Sequence, residues 1–202
     1  MSQVNPDDFI ITRKRKKYKF AKFLNAENCF EFDEWLKARP SLISAETSLS
    51  VELGAGTGLF SVELASRHSD KTFVAIDVKA DRLQKGAYQA IDNQLDNVYF
   101  VRARADQITD LFDGQSLDQL WLTFADPFPK KGSSGRRMTH RNYLSKYQTI
   151  LKPTGSFLMK HDNLDFFTWS LEQLVHEKWY VDELSFDLHD SELAEDYKIQ
   201  TT

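Results

Sequence analysis

Three glycines at alternate positions mark the first stretch of the chain able to do chemistry: Val51–Gly58 reads VELGAGTG. Glu52 precedes Gly54, Gly56 and Gly58, an apolar strand pattern runs into the loop, and a helical pattern leaves it. Glycines at such a turn allow a tight bend and let a ligand reach the backbone with no Cβ in the way. A nicotinamide loop of the G-x-G-x-x-G type needs a glycine at 59, where Leu59 stands, and no Gly-Lys-Ser/Thr follows for a triphosphate loop. The Glu52 carboxylate beside the turn suits a ligand with an ammonium and a sulfonium and suits a pyrophosphate poorly. Asp77 ends the next strand, where an acidic residue can accept both ribose hydroxyls. Arg104-Ala105-Asp106 follows the strand after that, where the adenine edge of such a ligand lies.

The second stretch is Leu122–Arg137, LTFADPFPKKGSSGRR. A buried strand leads into Asp126-Pro127-Phe128-Pro129-Lys130-Lys131. The prolines fix φ and stiffen the turn, which suits a loop holding Asp126 over a ligand. A Gly/Ser stretch follows, then Arg136 and Arg137. A third stretch, Arg13–Lys22, carries Arg13, Lys14, Arg15, Lys16, Lys17, Lys19 and Lys22, with Tyr18, Phe20 and Phe23 interleaved. A charge run of this kind is either a solvated tail or a set of phosphate contacts. Its aromatics either stack on bases or pack on a core, and packing is the favoured reading.

The elements that must position these residues alternate. Strands are expected at Ser48–Leu53, Thr72–Asp77, Val98–Val101, Leu117–Phe124, Gly155–Lys160 and Tyr180–Leu188. Helices are expected at Thr57–Arg67, Ala80–Asn93, briefly after Asp106, Tyr143–Leu151 and Leu164–Glu177. This order argues an α/β fold: a mostly parallel, doubly wound sheet with helices on both faces. Asn28–Arg39 reads as a short amphipathic helix capped by Asn28 and ended by Pro40. Residues 1–27 read as a separate basic arm with the flexibility of a solvated tail, and residues 28–202 as a single domain. No internal repeat or low-complexity segment breaks it.

Composition sets the outer bounds. A chain of 202 residues, 41% hydrophobic and 28% charged, fits one globular domain. Its single cysteine, Cys29, excludes an internal disulfide and a multi-thiolate metal site and reads as a packing residue. His68, His140, His176 and His189 lack metal-ligand spacing, so no metal is expected. Trp121 and Trp169 read as core residues, and the acidic stretch Asp182–Asp196 as an exposed face. No apolar run reaches membrane-spanning length, and Met1–Ile10 lacks a signal-peptide core, so a soluble cytoplasmic protein is expected. The net charge of −4 argues weakly against a general nucleic-acid coat, but the positive charge is clustered.

The Glu-x-Gly-x-Gly-x-Gly spacing resembles motif I of class I methyltransferases. With Asp126-Pro127-Phe128-Pro129-Lys130-Lys131, Arg136-Arg137, His161-Asp162-Asn163 and Ile199-Gln200-Thr201-Thr202, the chain resembles the bacterial tRNA (guanine-N7)-methyltransferase family from the glycine loop to the C-terminus. That family's strand ends in Asp-Pro-Trp-Pro-Lys-Lys, its fifth strand in Thr-Asp-Asn, and its last motif is Thr-Glu-Tyr-Glu. Here Phe128 replaces the Trp, His161 the Thr, and Gly132-Ser133-Ser134-Gly135 a more basic loop. Arg104 stands where an acidic residue is usual. The chain stops before Tyr-Glu of the last motif and the final strand that would follow. The resemblance implies a Rossmann-like class I fold and S-adenosyl-L-methionine as methyl donor, held by Glu52, Gly54, Gly56, Gly58, Asp77, Arg104, Ala105, Asp106 and Asp126. It implies tRNA as partner, contacted by Lys130, Lys131, Arg136, Arg137, Asp162 and Thr201, favours phosphate contacts over a solvated tail for the Arg13–Lys22 stretch, and leaves monomer and homodimer open.

Guanine N7 carries a lone pair at neutral pH and needs no general base to attack a methyl sulfonium, so the resemblance implies catalysis by positioning and electrostatics. Asp126 is the expected catalytic residue, with Asp162 as a second carboxylate near the base. Two other readings remain: a methyltransferase of the same fold acting on a small molecule or protein, against which the basic stretches argue, and a non-catalytic RNA-binding relative, against which Asp126 and Asp162 argue. A nicotinamide dehydrogenase is a distant third, disfavoured by Leu59.

Overall fold

The structure, a computed structural model, describes residues 3–11 and 13–200, and the Lys131 side chain lies outside that description. Six strands of the described residues form one sheet: β1 (Cys29–Glu31), β2 (Ser48–Leu53), β3 (Lys71–Asp77), β4 (Val98–Arg102), β5 (Leu117–Thr123) and β6 (Leu151–Lys160). Their order is β1-β4-β3-β2-β5-β6, and every neighbouring pair is parallel. Among the described residues seven α-helices surround it: α1 (Lys14–Asn25), α2 (Phe32–Leu42), α3 (Leu59–Arg67), α4 (Ala80–Asp92), α5 (Ile108–Leu111), α6 (Arg141–Ile150) and α7 (Leu164–His176).

Parallel strands covered on both faces read as continuous apolar runs, and β3 shows why. Phe73 and Ala75 point into one layer with Phe60 of α3 and Leu83 of α4, while Val74 and Ile76 point into the other with Trp35 of α2 and Tyr147 of α6. Glycine fixes one close approach between the layers and the loop. A Cβ on Gly86 of α4 would lie 2.4 Å from the Thr57 carbonyl oxygen, so α4 rests directly on the glycine loop.

From β2 the chain passes to β3 and β4 on one side, then crosses to β5 on the other. The switch point between β2 and β5 therefore opens at their carboxyl ends, where ligands of such sheets sit.

Four sequence expectations are corrected. Residues 14–25, read as part of a separate flexible arm, form α1, with Phe23 and Ala21 buried in the α3–α4 layer or against it. Asn28 caps no helix. Its buried amide donates to the Ala87 carbonyl, β1 follows, and Glu31 caps α2 through a reciprocal bond with Glu34. Pro40 does not end α2, which continues to Leu42. Tyr180–Leu188 forms no strand: it runs along the surface with Tyr180 and Phe186 exposed.

Candidate active site

The carboxyl ends of five adjacent strands build one rim. β2 delivers the glycine loop, in which Gly54, Gly56 and Gly58 have φ of +73°, +57° and +71°, a region closed to most side chains. A Cβ built on Gly56 meets nothing within 4 Å, so open space stands in front of it. At Gly54 a Cβ would lie 3.1 Å from Met138 Cε, which places the Met138 methyl over the loop. β3 delivers Asp77, whose carboxylate accepts from the Gly56 N–H at 2.9 Å and the Lys79 N–H at 2.8 Å. β4 delivers Arg104-Ala105-Asp106. Arg104 Nε donates to Asp106 Oδ1 at 2.9 Å, with a second bond from its terminal nitrogen to Oδ2. This guanidinium holds the Asp106 carboxyl below its ordinary pKa.

β5 and β6 deliver the two carboxylates. Asp126 is exposed in a turn flanked by two non-glycine residues in left-handed backbone, Phe124 at φ +50° and Phe128 at φ +39°. Such conformations cost roughly 1–3 kcal/mol each and persist where surrounding bonds enforce them. Here the Phe124 N–H donates to the Lys160 carbonyl at 3.0 Å. The Arg137 guanidinium donates to the Pro127 carbonyl at 2.9 Å and to the Phe128 carbonyl at 3.2 Å. His161 clamps the same turn. Its Nδ1 accepts from the Asn163 N–H at 2.8 Å, which assigns the proton to Nε2, and that nitrogen donates to the Ala125 carbonyl at 2.8 Å. Asp162, next to it, is exposed.

Several predicted site residues take other places. Glu52 does not reach the open space: it is buried behind the loop, accepting from Ser61 Oγ and Thr123 Oγ1, each at 2.7 Å. Burial pushes its carboxyl up to about 7. Arg137 is a brace, stacked with its guanidinium carbon 4.4 Å from the Trp169 ring centroid and bonded to the Asp126 turn. Trp169 is therefore half-buried at the site rather than in the core. Arg136 stays exposed, 4.4 Å over the Phe128 ring, and Lys130 is exposed beside it. Thr201 and the Lys131 side chain lie outside the described residues.

Sequence reasoning missed Met138, His161 as a clamp, and Lys160. The last is a lysine at the end of an apolar strand, where a buried charge signals a structural task. Its Nζ donates to the Tyr197 carbonyl at 3.3 Å and the Ile199 carbonyl at 2.5 Å. Burial lowers its pKa to about 8.

An all-parallel doubly wound sheet, a positive-φ glycine loop at its switch point and an acidic residue closing the next strand define a class I methyltransferase. Solved structures agree in fold. An antibiotic-related methyltransferase superposes with a TM-score of 0.56 at 18% identity, covering 73% of this chain and 76% of that one. The 16S rRNA methyltransferase KamB superposes with a TM-score of 0.52 at 19% identity, covering 86% and 76%. The profile of the family described as "Putative methyltransferase" matches residues 46–201.

The sequence relatives are more specific. The tRNA (guanine-N(7)-)-methyltransferase of Brevibacillus brevis is 35% identical over 148 residues, covering 73% of this chain and 69% of that protein. That of Latilactobacillus sakei subsp. sakei is 32% identical over 161 residues, covering 80% and 75%. This chain belongs to the tRNA (guanine-N7)-methyltransferase family.

The methyl donor is S-adenosylmethionine, and the residues present fit it. The space before Gly56 admits a ligand against bare backbone, and the Asp77 carboxylate stands beside it, 2.9 Å from the Gly56 nitrogen.

Proposed function

We propose that this chain transfers a methyl group from S-adenosylmethionine to N7 of a guanosine in tRNA, in the variable loop. The observation that carries the reading is the exposed Asp126 carboxylate at the end of β5, across the switch point from the glycine loop and at the foot of a cationic loop. Gly54, Gly56, Gly58 and Asp77 hold the donor, with Arg104, Ala105 and Asp106 along its adenine edge. When bound, S-adenosylmethionine supplies a methyl group activated by its sulfonium charge.

The chain's own work is placement and charge. Asp126 stabilises the positive charge that grows on the guanine as its N7 lone pair forms the new N–C bond and the C–S bond breaks. Asp162 accepts from guanine N1–H and N2–H, a pattern adenine lacks. Lys130 meets a phosphate or the guanine O6. Arg136 holds the backbone beside the target, and the RNA contacts expected of Lys131 and Thr201 fall on groups outside the described residues. Braced by Arg137 and His161, the Asp126 turn enters the reaction already placed, so little reorganisation is left. The target base leaves its stack to reach this rim.

Among the described residues no helix is long and apolar enough to cross a membrane, which is compatible with a tRNA-modifying enzyme of the cytoplasm. Transfer of tritium from labelled S-adenosylmethionine to unmodified bulk tRNA tests the reading. Label in the RNA supports it. Cofactor binding with label only in small molecules or protein would overturn it.

A further inference from the structure

A second cleft opens beside the rim, on the far side of the β3–α4 turn. It encloses about 550 Å³, within the range of nucleotide-sized pockets. Arg13, Lys16, Lys79 and Arg102 line it, opposed by one carboxylate, Asp81. Neither the glycine loop nor Asp77, Asp106 or Asp126 contributes to its wall.

The cleft is built by a return of the N-terminal segment along α1. The Asn25 side chain accepts from the Val4 N–H at 2.7 Å and donates to the Val4 carbonyl at 3.1 Å. Lys17 pairs with Asp7 at 3.1 Å, and Phe9 packs edge-on against Phe20 with centroids 5.0 Å apart. These bonds carry Ile10, Ile11 and Arg13 round to the start of α1, facing the first turn of α4. Arg102 closes the floor: it pairs with Glu31 at 3.0 Å and lies 5.3 Å over the Phe20 ring.

We infer that this cleft binds the tRNA backbone at a second point, away from the nucleotide being methylated. The inference rests on tRNA being the substrate and adds where it is gripped. Charge complementarity selects the occupant. α1 carries Lys14, Arg15, Lys16, Lys17, Lys19 and Lys22 with no acidic residue, in a chain whose net charge is −4. A concentration of cations on an otherwise acidic protein fits a polyanion. The positive end of the α4 dipole adds to the field, because Lys79, Ala80 and Asp81 at its start line the cleft. Exposed Ile10 and Val78 give a ribose or base an apolar face beside these charges. The cleft shares the β3–α4 turn with the cofactor rim, so an RNA that fills both is held at two points on one face.

The test uses the full chain and an unmodified tRNA transcript, with binding followed by anisotropy across a salt series. The variant Lys16→Glu/Lys79→Glu is compared with Lys37→Glu/Lys71→Glu, which changes net charge equally on α2 and at the amino end of β3. Lys16→Ala/Lys79→Ala serves if the reversal unfolds the protein. The cleft variant should bind tRNA at least about tenfold more weakly and lose about 2 from the slope of log K against log salt, at roughly 0.9 per phosphate. The control should change binding by less than about threefold, and both should keep wild-type affinity for S-adenosylmethionine. If the cleft variant matches the control while the wild type binds tRNA, the cleft is no RNA site and the substrate reading survives. A loss of S-adenosylmethionine affinity in the cleft variant would assign the cleft to the cofactor and overturn the inference. Failure of the wild type to bind tRNA would remove the substrate reading itself.

Discussion

The Thr123 hydroxyl donates to Glu52 Oε1 at 2.7 Å, across the switch point between β5 and β2. With Ser61 on the other oxygen, one buried carboxylate ties together the strand that ends in the glycine loop, the helix that leaves it and the strand that leads to Asp126. In the proposed reaction methyl transfer depends on the distance between the two loops, and this bond is the shortest side-chain link between their strands.

That carboxylate gives the fold a pH signature. Burial raises Glu52 from 4.5 to about 7, so between those values the folded state holds a proton that the unfolded state has lost. Stability therefore falls as pH rises from 4.5 to 7, by about 1.4 kcal/mol for each pH unit crossed. Urea unfolding at several pH values should show this fall in the wild type and not in Glu52→Gln, a difference of about 3 kcal/mol at most. Parallel curves for the two proteins would exclude the buried carboxylate as its source.

Two glycines should separate ligand space from packing. Gly56→Ala adds a methyl where nothing stands within 4 Å, at a φ of +57°. It should cost about 1 kcal/mol of stability and lower S-adenosylmethionine affinity more than tenfold. Gly86→Ala forces a methyl against the Thr57 carbonyl and should lower the melting temperature by several degrees. Calorimetry with and without cofactor measures both. Equal cofactor affinity in Gly56→Ala and wild type would put the ligand elsewhere.

The paired arginines should behave differently. Arg137→Ala strips donors from the Pro127 and Phe128 carbonyls, an unsatisfied-group cost of roughly 1–3 kcal/mol. It should lower kcat at least tenfold with little change in tRNA affinity, and Arg137→Lys should not rescue it because lysine cannot span both carbonyls while stacking on Trp169. Arg136→Ala should instead raise KM for tRNA with kcat nearly unchanged. Steady-state kinetics with tRNA as the varied substrate distinguishes the two, and identical profiles would refute the division of labour.

The alternation of apolar strands and amphipathic helices made the sheet legible, because β2, β3, β4 and β5 are interior parallel strands with largely buried residues, and the edge strand β6 ends in the apolar run Phe157–Met159. The rim was legible for the same reason: Gly54–Gly58, Asp77 and Asp126 each terminate a recognisable strand. Position along the chain did not reveal which way a side chain turns. Glu52 lies on the face of β2 opposite Leu53 and so faces α3, and Arg137 finds Trp169 on a helix remote in sequence. Cys29–Glu31 is too short to show a period, and its strand exists because β4 offers an edge to pair with. Tyr180–Leu188 has strand composition, but composition does not supply a neighbour.

If the Asp126 turn, set against the glycine loop, methylates guanine N7 in tRNA, the product itself reports it. Wild type and Asp126→Ala are incubated with S-adenosylmethionine and unmodified tRNA transcripts, the RNA is digested to nucleosides, and 7-methylguanosine is measured by mass spectrometry. The wild type should yield 7-methylguanosine and Asp126→Ala at least a hundredfold less, while the variant binds tRNA and melts as the wild type does. A methylated nucleoside other than 7-methylguanosine, or full yield from Asp126→Ala, would contradict this assignment.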